Sequence, residues 1–340
     1  MSRARRVVVT VVIALLAFVS LGAWAFASPV GSSPDDDFHL GSIWCAWGER
    51  EGLCEDQGLD GARAVPAPVA LSAHCWAFNP DVSAACAEMD GTRLVSTDRI
   101  NLSGTYPGLS YTVLGAFAST DVATAVITMR LVNAAIAVAL LTGAALAARR
   151  SLSPVLIGAW LASSVPLGMF VVASVNPSGW TVLSAGTLWI ALVAFLRARD
   201  RAGLIANGIV VAVATVIGLG SRPDAVIFTA LAVAIAVCLT VRLTRDWLLR
   251  AVLPAGVLVA AIAVMVSGNA SGLAGGDISG SAAQLTAVER VYLLLGNVLE
   301  VPRLWYEVFA GSLGWLDTPM PGVVGVGGIA VFAGLGFAAL

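Results

Sequence analysis

Long apolar runs alternate with shorter polar segments along the chain, and this pattern predicts helices that cross a membrane. A helix needs about 20 consecutive apolar residues to cross roughly 30 Å of hydrocarbon. We therefore predict an all-α integral membrane protein, a bundle of about eight spans. The predicted spans are residues 7–28, 122–148, 153–174, 180–196, 203–219, 224–241, 251–267 and 321–340.

The polar segments between these runs divide the chain into five parts. Residues 1–28 are predicted to be an N-terminal membrane anchor, 29–121 an extracytoplasmic loop domain, 122–267 the transmembrane bundle with spans two to seven, 268–320 outer interfacial helices broken at Pro302, and 321–340 the last visible span. The apolar run of the anchor exceeds the roughly 7–15 residues of a cleavable signal peptide, which favours an uncleaved helix. The last run has no polar flank, so we expect the sequence to be truncated there.

The composition supports a membrane protein and excludes several other classes. Hydrophobic residues make up 58% and charged residues 12% of the chain, and the mean hydropathy is +0.89. Neither a soluble enzyme nor a disordered chain has such a composition. The formal net charge is −2 and no basic stripe runs along the sequence, which argues against a nucleic-acid partner.

The arginines set the predicted orientation. If the first span exits outward, eleven of them fall on one side: Arg3, Arg5, Arg6, Arg149, Arg150, Arg197, Arg199, Arg201, Arg242, Arg245 and Arg250. Loops rich in Arg and Lys stay in the cytoplasm. We therefore predict a multi-pass protein of a bacterial cytoplasmic membrane, with a cytoplasmic N-terminus and an acidic active face outside the cell.

Four of the five cysteines lie in the loop domain, at Cys45, Cys54, Cys75 and Cys86. An even number of cysteines in an oxidising compartment favours disulfides over a metal site. Three pairings are open, and we favour Cys45–Cys54 with Cys75–Cys86 because these two close the shortest loops.

The sharpest chemical signal is Asp35-Asp36-Asp37 followed by His39, directly after the first span. Like charges this close raise one another's pKa, which makes at least one carboxylate a better proton acceptor. The same residues also suit the first turn of a helix that contains His39. A divalent cation held by the triplet, Asp37 included, is a third interpretation, so metal dependence is left open.

Arginines near or within the spans need partners. Arg222 lies between two apolar runs, where a guanidinium needs either an anionic ligand such as phosphate or an ion pair with Asp224. Arg130, within the second span, is predicted to take part in helix packing, as is Asn133. Tyr106 and Tyr111 are predicted to lie at the depth of the lipid headgroups.

Several short motifs together resemble the DUF2142 family of bacterial membrane proteins, which is grouped with the GT-C glycosyltransferases. The motifs are Asp35-Asp36 with His39, Tyr106-Pro107, Asn176-Pro177-Ser178-Gly179, Ser221-Arg222-Pro223-Asp224 and Gly314-Trp315-Leu316-Asp317-Thr318. The resemblance covers almost the whole chain. Asp36 stands where the family more often has Glu, which leaves open which carboxylate acts.

The resemblance implies a hexosyl- or pentosyltransferase that takes its sugar from a polyprenyl-phosphate donor at the outer membrane face. The acceptor would be an envelope polysaccharide, lipid or protein. The transfer would be inverting, with Asp35 or Asp36 as general base. His39 would orient that base or contact the donor. The residues expected to bind donor phosphate or lipid are Arg222, Asp224, Tyr106, Arg303, Trp315 and Asp317.

Two other functions are compatible with many spans. One is a transporter or flippase of a lipid-linked substrate, although such proteins place polar groups near the bilayer centre and often show internal repeats. The other is a non-catalytic scaffold for envelope assembly. No cofactor other than a divalent cation is suggested, and the sugar and the acceptor stay open.

Overall fold

Helices are the main secondary structure of the computed structural model, which describes residues 3–58, 61–148, 152–269 and 285–339. The helices are α1 (Arg3–Ala27), α2 (Asp36–Trp44), α3 (Ala67–Leu71), α4 (Leu109–Gly115), α5 (Val122–Ala147), α6 (Ser153–Ser163), α7 (Pro166–Val172), α8 (Ser178–Leu196), α9 (Arg201–Leu219), α10 (Ala225–Thr240), α11 (Arg245–Arg250), α12 (Val252–Val264), α13 (Ala287–Gly311) and α14 (Gly322–Ala339). A 3-10 turn covers Ala84–Cys86 and a π turn covers Met265–Asn269.

Five segments in the described part of the chain are long and apolar enough to cross a membrane: Val7–Ala27, Val122–Ala147, Ser178–Leu196, Arg201–Leu219 and Arg245–Ser267. They confirm five of the eight predicted spans. The predicted spans 224–241 and 321–340 contain shorter apolar helices, Ala225–Thr240 and Gly322–Val331, and remain predictions.

The predicted span 153–174 is two short helices rather than one. The break falls before Pro166, which has no backbone N–H and disfavours a helical conformation of the residue before it. Val165 accordingly is extended, with φ −76° and ψ 163°. We conclude that this segment is not one continuous helix.

Helix α8 lies at the centre of the bundle. It packs against α9, α10 and α5, and Trp180, Leu183 and Leu188 are among its buried side chains. Most of the surface of α8 is buried, and other segments of the chain surround both of its ends. Polar groups collect at each of these ends.

The loop domain is a small disulfide-bonded unit on one end of the bundle. Strands β1 (Arg63–Pro66) and β2 (Leu94–Thr97) pair antiparallel, with Arg63 opposite Thr97. The preferred cysteine pairing is confirmed, with disulfides Cys45–Cys54 and Cys75–Cys86. The core of the domain, which includes Leu40 and Trp44 of α2, extends to Met129 of α5. The helix that carries His39 is thereby packed on the bundle.

Helix α13 runs without interruption through Pro302, so the predicted break at this residue is wrong. A proline removes one backbone hydrogen bond from a helix. The remaining backbone hydrogen bonds of the neighbouring turns allow α13 to continue through it. A short hairpin follows, in which β3 (Ser312–Leu313) pairs with β4 (Thr318–Pro319).

Candidate functional site

Three consecutive aspartates lie at the start of α2, and their side chains have different orientations. The helix begins at Asp36, so the predicted Asp-rich helix start is confirmed, but the Asp35 side chain makes no capping hydrogen bond. Asp35 has φ 58°, in the left-handed region that residues other than glycine rarely adopt. Its side chain is 60% exposed, whereas Asp36 is fully buried. The backbone turn at Asp35 therefore separates two neighbouring carboxylates.

Asp36 belongs to a buried polar anchor. Its carboxylate accepts hydrogen bonds from the Ser33 backbone N–H, at 3.0 Å, and from the Ser33 hydroxyl. Burial raises the pKa of Asp36 to about 6, although the charge of Arg130 and the Ser33 hydrogen bonds act in the opposite direction. Both carboxylate oxygens are already used inside the protein.

Arg130 ties the end of the first helix to this anchor. It donates to the carbonyl oxygens of Ala25, at 3.2 Å, and Pro29, at 2.8 Å, to that of Ser28, and to the Ser32 hydroxyl, at 3.1 Å. The last carbonyls of a helix have no partner within the helix. The guanidinium supplies such partners where α1 ends, which confirms the predicted packing role of Arg130.

Asn133 likewise has a packing role within the bundle. Its amide N–H donates to the Ser174 carbonyl oxygen, at 2.6 Å, and its oxygen accepts from Trp180 Nε1, at 2.9 Å. This residue therefore connects α5 to α8 and to the chain segment after α7, as predicted.

His39 lies beneath the aspartates as a buried, neutral imidazole. Its Nδ1 is 2.8 Å from the Tyr111 hydroxyl, and its ring centre is 5.4 Å from that of Tyr106. Burial lowers the pKa of His39 to about 3, and the charge of Arg222 acts in the same direction. Among the described residues Nε2 has no hydrogen-bond partner although it is buried.

Tyr111 is also buried, with 2% exposure, and its depth relative to the lipid headgroups remains a prediction. Burial raises the pKa of its phenol far above the ordinary value. A protonated hydroxyl can donate to Nδ1 of His39. In that tautomer Nε2 of the neutral ring carries a hydrogen and is a free donor.

Arg222 reaches the same aromatic cluster from the loop between α9 and α10. It forms the expected ion pair with Asp224, with N–O distances of 2.9 and 3.1 Å, and donates to Ser178 Oγ at 2.9 Å. Its guanidinium carbon lies 5.5 Å from the centre of the Tyr106 ring. Burial lowers the pKa of Arg222, but the hydrogen bonds to Asp224, the charge of Asp224 and electrostatic interactions with the two nearby tyrosines raise it overall, which keeps the group charged.

Arg99 is a further cation of the site that the sequence pattern did not single out. It donates to Asp37 at 2.8 and 3.0 Å and to Asp35 at 3.4 Å, and it lies over the Phe38 ring. About sixty residues separate Arg99 from these aspartates in the sequence, so no local motif connects them.

The triplet does not fit a divalent cation. Asp36 points to Ser33, whereas Asp37 and Asp35 face Arg99. Within the described ranges, no group of three or more His, Cys, Asp or Glu side chains is arranged to hold a metal ion. A cation held by the triplet would need all three carboxylates to converge, but Asp36 points away from the two that share Arg99.

The Gly314–Thr318 motif lies close to the beginning of the loop domain. Trp315 Nε1 donates to the Gly31 carbonyl oxygen at 3.0 Å. Asp317 accepts from the Trp315 backbone N–H and the Thr318 hydroxyl, both at 3.1 Å, inside its own turn. Trp315 therefore contacts the segment that leads to Asp35, while Asp317 closes the hairpin. The Arg303 side chain lies outside the described residues, although its backbone belongs to α13.

An apolar groove runs down the bundle from the level of this site. It has a volume of about 480 Å³. Leu109, Trp180 and Ile217 line its upper end, close in sequence to Tyr106, Ser178 and Arg222 respectively. Leu140, Gly143 and Ile209 line the part farther from the loop domain.

The burial of His39 in its neutral form predicts that the folded protein loses stability in acid. The unfolded chain binds a proton at His39 below its ordinary pKa of 6.5, whereas the folded state holds the ring neutral down to about 3. Stability is therefore complete above pH 6.5 and is lost as the pH falls, by about 2–3 kcal/mol at pH 4.5. We expect His39→Gln to lose less stability than wild type between pH 7.5 and 4.5, measured by unfolding in detergent micelles.

Protonation of Asp36 changes the stability in the opposite direction, so its effect has to be separated from that of His39. Its folded pKa of about 6 exceeds the unfolded value of 3.8, so its contribution to stability grows as the pH falls through that window. The comparison is therefore repeated with Asp36→Asn as background. Identical pH dependence with and without His39 in that background would contradict the buried neutral imidazole.

The structure is that of a polytopic membrane protein. Its apolar helices carry a disulfide-bonded domain, and buried titratable groups lie where the two meet. The chain belongs to the DUF2142 family, described as predicted membrane proteins, whose model matches residues 18–340. No curated protein and no solved structure matches the chain.

Proposed function

We propose that the protein is a GT-C-type glycosyltransferase that transfers a sugar from a polyprenyl phosphate to an envelope acceptor outside the bacterial cytoplasmic membrane. One observation carries the proposal. An exposed carboxylate, Asp35, and a partly buried cation, Arg222, flank one aromatic cluster at the end of the apolar spans. Phe38, His39, Tyr106 and Tyr111 form this cluster.

Asp35 is the proposed general base. An acceptor hydroxyl must lose its proton as its oxygen attacks the anomeric carbon, and the base must reach that hydroxyl. The carboxylate of Asp35 is exposed, whereas that of Asp36 is buried and bonded to Ser33. Asp36 is therefore assigned as a positioning residue that holds the turn on which Asp35 projects.

Arg222 and His39 are proposed to bind the donor phosphate. As the bond between the anomeric carbon and the phosphate oxygen breaks, the electron pair stays on the phosphate, and a cation stabilises this charge. Arg222 is held in place by Asp224 and Ser178. Nε2 of His39 is buried and has no hydrogen-bond partner among the described residues, so it can donate to a phosphate oxygen once donor binding moves the side chains that cover it; burial keeps the ring neutral and Nδ1 is occupied by Tyr111.

The apolar groove below Leu109 and Trp180 supports a lipid-linked donor. A phosphate near Arg222 would place its prenyl chain against the upper end of this groove. The burial of each methylene group contributes about 0.8 kcal/mol, so a long chain binds well even on a shallow surface.

The test is a turnover assay with the purified full chain in phosphatidylglycerol vesicles. Polyprenyl-phosphate sugars are supplied together with membrane acceptor extracts, and release of polyprenyl phosphate is measured. We expect at least one donor to be consumed. If every donor stays intact but moves between the leaflets of the vesicles, the protein is a transporter and the proposal is wrong.

A further inference from the structure

A second polar site lies at the opposite end of the bundle. Helix α8 has 19 residues and so extends roughly 28 Å from Ser178, near Arg222, to Leu196. There the segment that connects α8 to α9 meets the segment between α10 and α11. This arginine-rich end is the one predicted to face the cytoplasm.

The two segments enclose a cavity of about 520 Å³. Arginines are its main charged lining: Arg197, Arg199, Arg242 and Arg250. Asp246 is the one acidic side chain among the lining residues that the structure describes, so these residues carry a formal charge of +3. Asp200, next to Arg199 in the sequence, caps α9 through a 2.7 Å hydrogen bond from the Gly203 backbone N–H.

Two of these arginines connect the segments that enclose the cavity. Arg250 donates to the carbonyl oxygen of Leu196, at 3.3 Å, where α8 ends, and to that of Ala198 in the following segment. Arg197 donates to the Leu239 carbonyl oxygen of α10, at 2.8 Å. These contacts fix the relative position of the two segments.

The other two arginines supply unused donors. Arg199 and Arg242 are exposed, and their guanidinium groups make no hydrogen bond or ion pair with any residue that the structure describes. Four like charges around one cavity repel each other unless an anion neutralises them. Cytoplasmic loops are generally rich in arginine, which explains why these residues are present. It does not explain why four of them line the same cavity.

We propose that this cavity binds a phosphate group, with Arg199 and Arg242 as its principal ligands. The planar guanidinium fork matches phosphate oxygens, and basic pockets between spanning helices bind phospholipid headgroups. Trp247 lines the same cavity, and the neighbouring Leu243 and Leu249 are 87% and 64% exposed. Tryptophan beside exposed leucines is typical of the interface between lipid chains and headgroups. The phosphate would therefore come from an anionic phospholipid or from a soluble phosphate ester.

The test measures binding by native mass spectrometry of the full chain in mild detergent. The probes are short-chain phosphatidylglycerol, short-chain phosphatidylcholine and inorganic phosphate. We expect phosphatidylglycerol or inorganic phosphate to bind, and phosphatidylcholine to bind at least about tenfold more weakly. Binding of phosphatidylglycerol alone identifies a lipid headgroup, and competition by inorganic phosphate identifies a soluble anion.

The variant is Arg199→Gln with Arg242→Gln, and the matched control is Arg201→Gln with Arg245→Gln. Both control arginines are exposed at the same end of the bundle but lie outside the cavity lining. The net charge change is identical in the two doubles. We expect about tenfold weaker binding only in the cavity variant. Equal weakening in both doubles, or equal binding of phosphatidylcholine by wild type, would overturn the proposal.

Discussion

Asp35→Asn is expected to lower sugar transfer by about 10²–10⁴-fold, because the acceptor hydroxyl loses its general base. Asn has nearly the same shape as Asp but does not accept the proton. The exposed Asp35 side chain has few contacts to lose: it approaches Arg99 at 3.4 Å. The fold and the binding of the donor should therefore be retained. The measurement is release of polyprenyl phosphate at saturating donor, together with donor binding.

Asp81→Asn is the matched control for this experiment. Asp81 is also an exposed aspartate of the loop domain, and it lies outside the cluster of Asp35, His39 and Arg222. Its substitution should leave turnover unchanged. Wild-type turnover by Asp35→Asn would reject Asp35 as the base, and a loss only in Asp36→Asn would move the assignment to the buried carboxylate.

Arg130→Met is expected to destabilise the protein by about 3–5 kcal/mol, because it removes a buried cation together with its hydrogen bonds and leaves the buried charge of Asp36 without the opposite charge that favours it. The substitution takes the donor away from four oxygen atoms at the end of α1. It also takes away the cation whose charge opposes the burial of Asp36. Methionine fills a similar volume, so a cavity is not the main cause. Unfolding in a detergent series gives the free energy directly.

Two further variants make the interpretation specific. Arg93→Met removes an exposed arginine that is paired with Glu88, and we expect little change because surface pairs contribute little. Arg130→Met combined with Asp36→Asn should be more stable than Arg130→Met alone, since the neutral amide needs no counter-charge. If the double variant is less stable than Arg130→Met alone, the two residues do not act as a pair.

The spans and disulfides were largely predictable because they depend on local properties of the chain. Apolar runs reflect the free energy of moving each side chain into lipid, and five of them form helices that are long and apolar enough to cross a membrane. The disulfides follow the shortest loops, Cys45–Cys54 and Cys75–Cys86. The errors occurred at prolines, where a helix broke before Pro166 but continued through Pro302.

The details of the site were less predictable, since they depend on contacts distant in sequence. The aspartates and His39 were found from their own pattern, and the Arg222–Asp224 pair from its two-residue spacing. The contact between Tyr111 and His39 was not predicted because 72 residues separate them in the sequence. Arg99 was missed for the same reason.

The sequence by itself determined that this protein is helical, lies in a membrane and carries a charged cluster after its first span. Hydrophobic transfer energy and chain connectivity are sufficient for those conclusions. Only the tertiary structure decided that Asp35 faces solvent while Asp36 is buried, and that arginines from two loops surround one cavity at the far end. Side chains adjacent in sequence can point to opposite environments, and the backbone dihedrals and packing that direct them arise only when distant segments meet.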